Sequence, residues 1–97
     1  MTEEELGLLE FEIEHTYYYI GYPDNVRHNF WKDGAGEFKF MPEMGLDHLK
    51  SCIKKVEKDI AALEHSGRPS AVIDAIHSRS SQKLDELKAV FSRKVNS

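Results

Sequence analysis

His48 and Cys52 stand four residues apart in a stretch of helical periodicity, a spacing that sets both side chains on one helix face. Two chemistries use such a pair. With His15 or His28 from elsewhere in the chain it would begin a zinc site. With the histidine as base, the cysteine would be a nucleophile. The sequence argues against both. A structural zinc site wants four ligands, and only two residues here have ligand spacing. A thiolate in mid-helix gains nothing from the helix N-terminus, and no oxyanion loop is visible. Cys52 beside Leu49 and Ile53 reads as a small hydrophobe. His48, near a helix start, reads as a residue that bonds backbone groups or stacks on Trp31. Gly34 and Gly36 fall in hairpin-turn chemistry and cradle no phosphate. The expectation is therefore no enzyme, no metal and no cofactor.

Two other sets could bind without reacting. Lys50, Lys54 and Lys58 step by four along one helix face, with Lys55 beside them. Such a ridge suits phosphates or an acidic protein surface, although Glu57, Asp59 and Glu64 dilute it toward an ordinary solvated face. Lys39, Lys54, Lys58 and His48, with a stacking tyrosine, form the candidate set for a nucleotide or other small ligand. The second set is aromatic. The run EHTYYYIGYPDNVRHNFW holds Tyr17, Tyr18, Tyr19, Tyr22 and Trp31. Tyrosine and tryptophan are enriched at interface anchors, so these five are the candidate partner-binding residues.

The elements that would position them follow from periodicity. TEEE at residues 2–5 matches a capping box, and Leu6, Leu9 and Ile13 keep helical spacing. From Phe11 the pattern alternates instead, and three tyrosines after a threonine favour a strand. A strand over residues 9–20, after one helical turn, is expected. Residues 21–25 are a turn around Pro23, and residues 28–31 a second short strand. Residues 32–37 supply hairpin chemistry at Asp33-Gly34 and Gly36. Residues 37–40 are a third strand, with Phe38 and Phe40 on one face and given, like Trp31, mostly to the core. Pro42 then suits a first helical turn. Leu46, Leu49, Ile53, Val56, Ile60 and Leu63 form an apolar seam, which Gly67 and Pro69 end. A last helical stretch carries Val72, Ile73, Ile76, Leu84, Leu87, Val90 and Phe91. Residues 78–82 interrupt it, leaving either one helix or two short ones.

The expected class is α+β. A small antiparallel sheet of about three strands packs on a C-terminal antiparallel helical hairpin. The chain is read as one domain over residues 1–97, mostly β to residue 41 and mostly α after it. One helical layer covers one sheet face, so some aromatic surface should stay bare unless the chain forms a homo-oligomer.

Composition bounds the class. The chain has 97 residues, 40% hydrophobic and 31% charged, with one cysteine. That is ordinary for a globular protein, and a lone cysteine fits a reducing compartment. No apolar run approaches a membrane span, and the acidic start is unlike a targeting peptide. A cytoplasmic location without membrane partners is expected. The net charge of −4 is uneven. Residues 1–31 carry seven acidic side chains against Arg27 alone, a net −6; the remainder carries 12 basic against 10 acidic, a net +2. A general nucleic-acid binder is disfavoured by this balance.

One pattern resembles a known group. Trp31, Asp33-Gly34, Phe38-Lys39-Phe40, Met44, His48-Leu49 and Cys52-Ile53 follow an order common to many short phage and prophage proteins: tryptophan, hairpin turn, short strand, then a Met-x-x-x-His-Leu helix start. The match spans about a third of the chain and departs from the group at residues 41–44 and at Gly45. It implies a small phage-type accessory protein, working in the cytoplasm of a host cell, and carries no reaction with it. The function expected is binding of a protein partner, in the form of inhibition of a host or defence factor. Two alternatives stand beside it: a nucleotide- or ligand-sequestering oligomer, and a structural or regulatory homodimer joined through the helical seams.

Overall fold

The computed structural model describes residues 1–22 and 29–96. Three helices, α1 (Glu3–His15), α2 (Leu46–Leu63) and α3 (Ser70–Val95), accompany two strands, β1 (Phe30–Lys32) and β2 (Phe38–Phe40). Single 3-10 turns lie at Tyr18–Ile20 and Met41–Glu43. Among the described residues the sheet has two antiparallel strands, not about three.

The missing strand is a helix. Thr2 Oγ1 accepts from the Glu5 amide at 3.1 Å, and the Thr2 amide donates to Glu5 Oε1 at 2.9 Å, which closes the capping box. Glu3, Glu4 and Glu5 place negative charge at the positive end of the helix dipole. Leu9 and Glu12 turn inward. The alternation from Phe11 onward is overridden by this start. The chain leaves helical geometry only at Thr16, and Tyr18–Ile20 form a tight turn. The longest described element of residues 1–41 is thus helical, which corrects the mostly β assignment. Pro23, Asp24, Asn25 and His28, named for the turn, the second strand and the metal idea, lie outside the described residues.

The hairpin forms where its turn chemistry places it. Asp33 Oδ1 accepts from the Ala35 and Glu37 amides at 3.0 and 2.9 Å, and Gly36 takes a left-handed φ of 84°. The register pairs Phe30 with Phe40, Trp31 with Lys39 and Lys32 with Phe38. Residues directly opposite share a face. Trp31 and Lys39 therefore point one way, and Phe30, Phe38 and Phe40 the other.

α2 and α3 run antiparallel. Lys94 Nζ near the end of α3 donates to the Pro42 carbonyl at 2.7 Å, ahead of α2. Lys50 lies 5.9 Å over the Phe91 ring, and Lys88 is 3.6 Å from Glu57. Leu49, Cys52, Val56 and Leu63 of α2 are buried, as are Val72, Ile76, Leu87 and Val90 of α3. Much of both seams is spent on packing α2 against α3 within one chain. Leu46, expected to open the seam, is 40% exposed. Residues 78–82 do not break α3. Ser80 there is buried against Tyr19, so the polar residue in the stripe is a small one facing a large ring. Among the described residues no helix is long and apolar enough to cross a membrane.

Two glycines separate backbone cost from packing. Gly7 lies inside α1, and a Cβ there would meet nothing within 4 Å. Gly7→Ala should stabilise the chain by about 0.5–1 kcal/mol in urea unfolding. At Gly21 a Cβ would come within 2.5 Å of the Ile13 Cγ2 methyl, on a β-branched side chain stiff in a helix. Gly21→Ala should cost about 1–3 kcal/mol. Equal effects at the two positions would contradict this packing.

Candidate functional site

The five aromatic candidates divide by burial. Tyr19 is fully buried and stacks on Trp31, with centroids 5.2 Å apart and planes 9° from parallel. Tyr17 sets its edge against Tyr19, and Arg68 lies 5.8 Å over its ring. That guanidinium is held 2.6 Å from the Glu12 carboxylate. Tyr17, Tyr19 and Trp31 are at most 3% exposed. They are core residues and offer a partner almost no surface. Tyr18 and Tyr22 are half-buried. Tyr22 receives the ammonium of Lys83 at 4.6 Å over its ring.

What the sequence assigned to the core is on the surface instead. Phe38 and Phe40 are 41% and 40% exposed, on the hairpin face opposite Trp31. Phe40 tilts against the half-buried Phe30 at 5.2 Å. Phe38, Lys39, Phe40, Glu43 and Met44 line an open depression there. The signal that would have found it is register. Once Trp31 is taken as core and paired with Lys39, the neighbours of Lys39 must face outward.

The ligand-binding candidates are partly gathered. Lys54 and Lys58 line a shallow depression with Ser51, Lys55 and Asp59. Ser51 and Lys55 continue into a second one, lined also by Tyr18, Trp31, Asp33, His48 and Cys52. Lys55, which the candidate set lacked, is the hinge between them. Its ammonium is held by Asp59 at 2.9 Å and lies 5.3 Å over the Tyr18 ring. Lys39 is drawn 3.7 Å from Asp33 and stands apart from Lys54 and Lys58. Backbone hydrogen bonds from Glu37 and Ala35, with Lys39 beside it, lower the Asp33 pKa.

His48 and Cys52 do border the same depression. Burial, however, pushes the Cys52 thiol up to about 11, so it stays protonated near neutrality and is a poor nucleophile. His15, the other candidate ligand, ends α1 and is turned back on it. Its Nδ1 donates to the Phe11 carbonyl at 2.8 Å and its ring stacks on Phe11. Among the described residues no three His, Cys, Asp or Glu side chains are grouped to hold a metal ion.

One buried charge escaped sequence reading. Lys83 is 2% exposed, and its ammonium donates to the Phe30 carbonyl at 2.9 Å. Glu86 stands 3.3 Å away, and its other oxygen accepts from the Asn29 amide at 2.9 Å. Asn29 carries a left-handed φ of 74°. This pair pins the start of β1 to α3, which makes it a positioning device for the hairpin. Burial lowers the Lys83 pKa.

These shifts fix an alkaline response. Folding raises the Cys52 pKa, so the folded chain keeps a proton that the unfolded chain begins to lose near pH 9. The thiol's contribution is intact below about pH 9 and fades as pH climbs toward 11. Tyr17, Tyr19 and Tyr22 act in the same direction at higher pH, while Lys83 opposes them. Cys52→Ala isolates the thiol. The gap in unfolding free energy between wild type and Cys52→Ala should narrow from neutrality to about pH 10.5. A constant gap would contradict the assigned burial.

Compared with known proteins, the chain matches no family model, no curated protein and no solved structure.

Proposed function

We propose that this chain is a small, non-enzymatic accessory protein of the phage type, acting in a host cytoplasm by binding a protein partner and thereby inhibiting a host or defence factor. The observation that carries the reading is the uncovered hairpin face. Phe38 and Phe40 sit two residues apart on a short strand, about two-fifths exposed. Aromatic side chains held rigidly on a surface are the usual anchors of protein interfaces, because little side-chain entropy is lost on docking. Tyr18, half-buried, lines a separate depression on the opposite side of the hairpin. The phage-type pattern from Trp31 to Ile53 agrees with a small binding protein and coincides with this hairpin and the start of α2.

Affinity capture from host lysate tests it. Wild type should retain a partner that the double variant Phe38→Glu/Phe40→Glu loses, with unchanged circular dichroism. Both positions are exposed, so the variant should fold. The same proteins retained by both would overturn the reading.

A second reading, a nucleotide- or ligand-sequestering oligomer, has one observation in its favour. Lys54, Lys55 and Lys58 converge on a depression that continues past the Tyr18 ring to His48. A thermal-shift series with nucleotides separates the two. A rise of several degrees with one nucleotide, lost in Lys54→Glu/Lys58→Glu, would favour sequestration. No shift with any nucleotide leaves the hairpin reading in place.

A further inference from the structure

Two helices of this chain carry exposed rows of opposite charge. The outward side of α1 carries Glu3, Glu10 and Glu14, all exposed, with Leu6 and Phe11 flanking them at 46% and 54% exposure. Its inward side holds Leu9 and Glu12. The outward side of α2 carries Lys50, Lys54 and Lys58, likewise exposed, opposite the buried Leu49, Cys52, Val56 and Leu63, with Asp47 and Glu57 exposed among them and Glu57 3.6 Å from Lys88. Among the described residues Glu3, Glu10, Glu14, Lys54 and Lys58 make no ion pair, and Lys50 touches only the Phe91 ring. The acidic row spans about 16 Å along its axis and the basic row about 12 Å, at 1.5 Å per residue.

We propose that these faces meet between two copies of this chain, the acidic face of α1 in one seated on the lysine face of α2 in the other. Three lines argue for a second copy as the occupant. Charge is segregated along the chain, a net −6 over residues 1–31 against +2 over the rest, so unlike ends attract although the whole is negative. The rows are opposite in sign and alike in number and approximate length. Leu6 and Phe11, large apolar side chains left bare beside the glutamates, give the contact a core that charge alone would lack. Lysine stems on α2 supply apolar surface to receive them. The pairing joins two different patches, so it closes as a two-fold dimer only when both pairs engage reciprocally. This inference does not rest on the partner reading, which uses the hairpin face.

Light scattering of the full chain across salt concentration is the primary test and needs no variant. At about 50 mM salt the mass should rise above the single-chain 11.2 kDa toward twice that value as concentration increases. At about 1 M salt, where screening reaches about 3 Å, it should fall back. Two charge reversals then assign the faces. Lys50→Glu/Lys54→Glu/Lys58→Glu and Glu3→Lys/Glu10→Lys/Glu14→Lys should each be monomeric alone. Mixed in equal amounts they should associate, because each reversed face then meets its opposite. A single-chain mass at low salt, or association that persists in either variant alone, would overturn the proposal. Either result would leave capture of a partner through Phe38 and Phe40 unaffected.

Discussion

The fold turns on one aromatic pair and the hydroxyl at its rim. Tyr19 lies flat on Trp31, and its Oη donates to Asp59 Oδ2 at 2.8 Å. The ring joins the segment after α1 to the hairpin, and the hydroxyl ties both to α2. α3, with Ser80 buried in it, packs on the turn that carries Tyr19. Four parts of the chain thus converge on one side chain. A phenol can do this because its body is apolar and its tip is polar. Burial and the neighbouring carboxylate raise the Tyr19 pKa, so the hydroxyl keeps its proton and remains a donor at any ordinary pH.

The surface follows from this arrangement. Once Trp31 is drawn inward to meet Tyr19, strand geometry sends Lys39 to the same side and Phe38 and Phe40 to the other. The two helices that would cover a larger sheet pack on each other, and α1 packs on α3. Phe38 and Phe40 therefore stay about two-fifths exposed. Asp59 likewise serves twice: it accepts from Tyr19 and fixes Lys55 at the head of the lysine depression. The core's polar contacts therefore set which lysines are committed and which, as at Lys54 and Lys58, are left to face solvent.

Much of this was legible in the residues. The seam from Leu49 to Leu63, the Gly67 stop and the Asp33–Gly36 turn all appear where local chemistry places them, because each rests on short-range geometry. The first strand was misread because two signals overlapped: alternation from Phe11 to Tyr19, and the capping box at Thr2. The cap prevailed, since a helix once started propagates at one hydrogen bond per residue. The aromatic run was legible only in part, for a different reason. Which of Tyr17, Tyr18, Tyr19 and Trp31 is hidden depends on contacts forty residues away, at Asp59, and no local pattern carries that. The same holds for Lys83, whose burial follows from the Phe30 carbonyl and Glu86 rather than from its neighbours in α3.

Under the proposed function, a partner meets the hairpin face and not the tyrosine run. Site-specific photo-crosslinking in host cells reads this directly. A photoreactive phenylalanine analogue at position 38 should give an adduct heavier than two copies of the chain. The same analogue at position 17, buried under Arg68, should give none. An adduct from position 17, or none from position 38 in cells where the protein acts, would contradict the account.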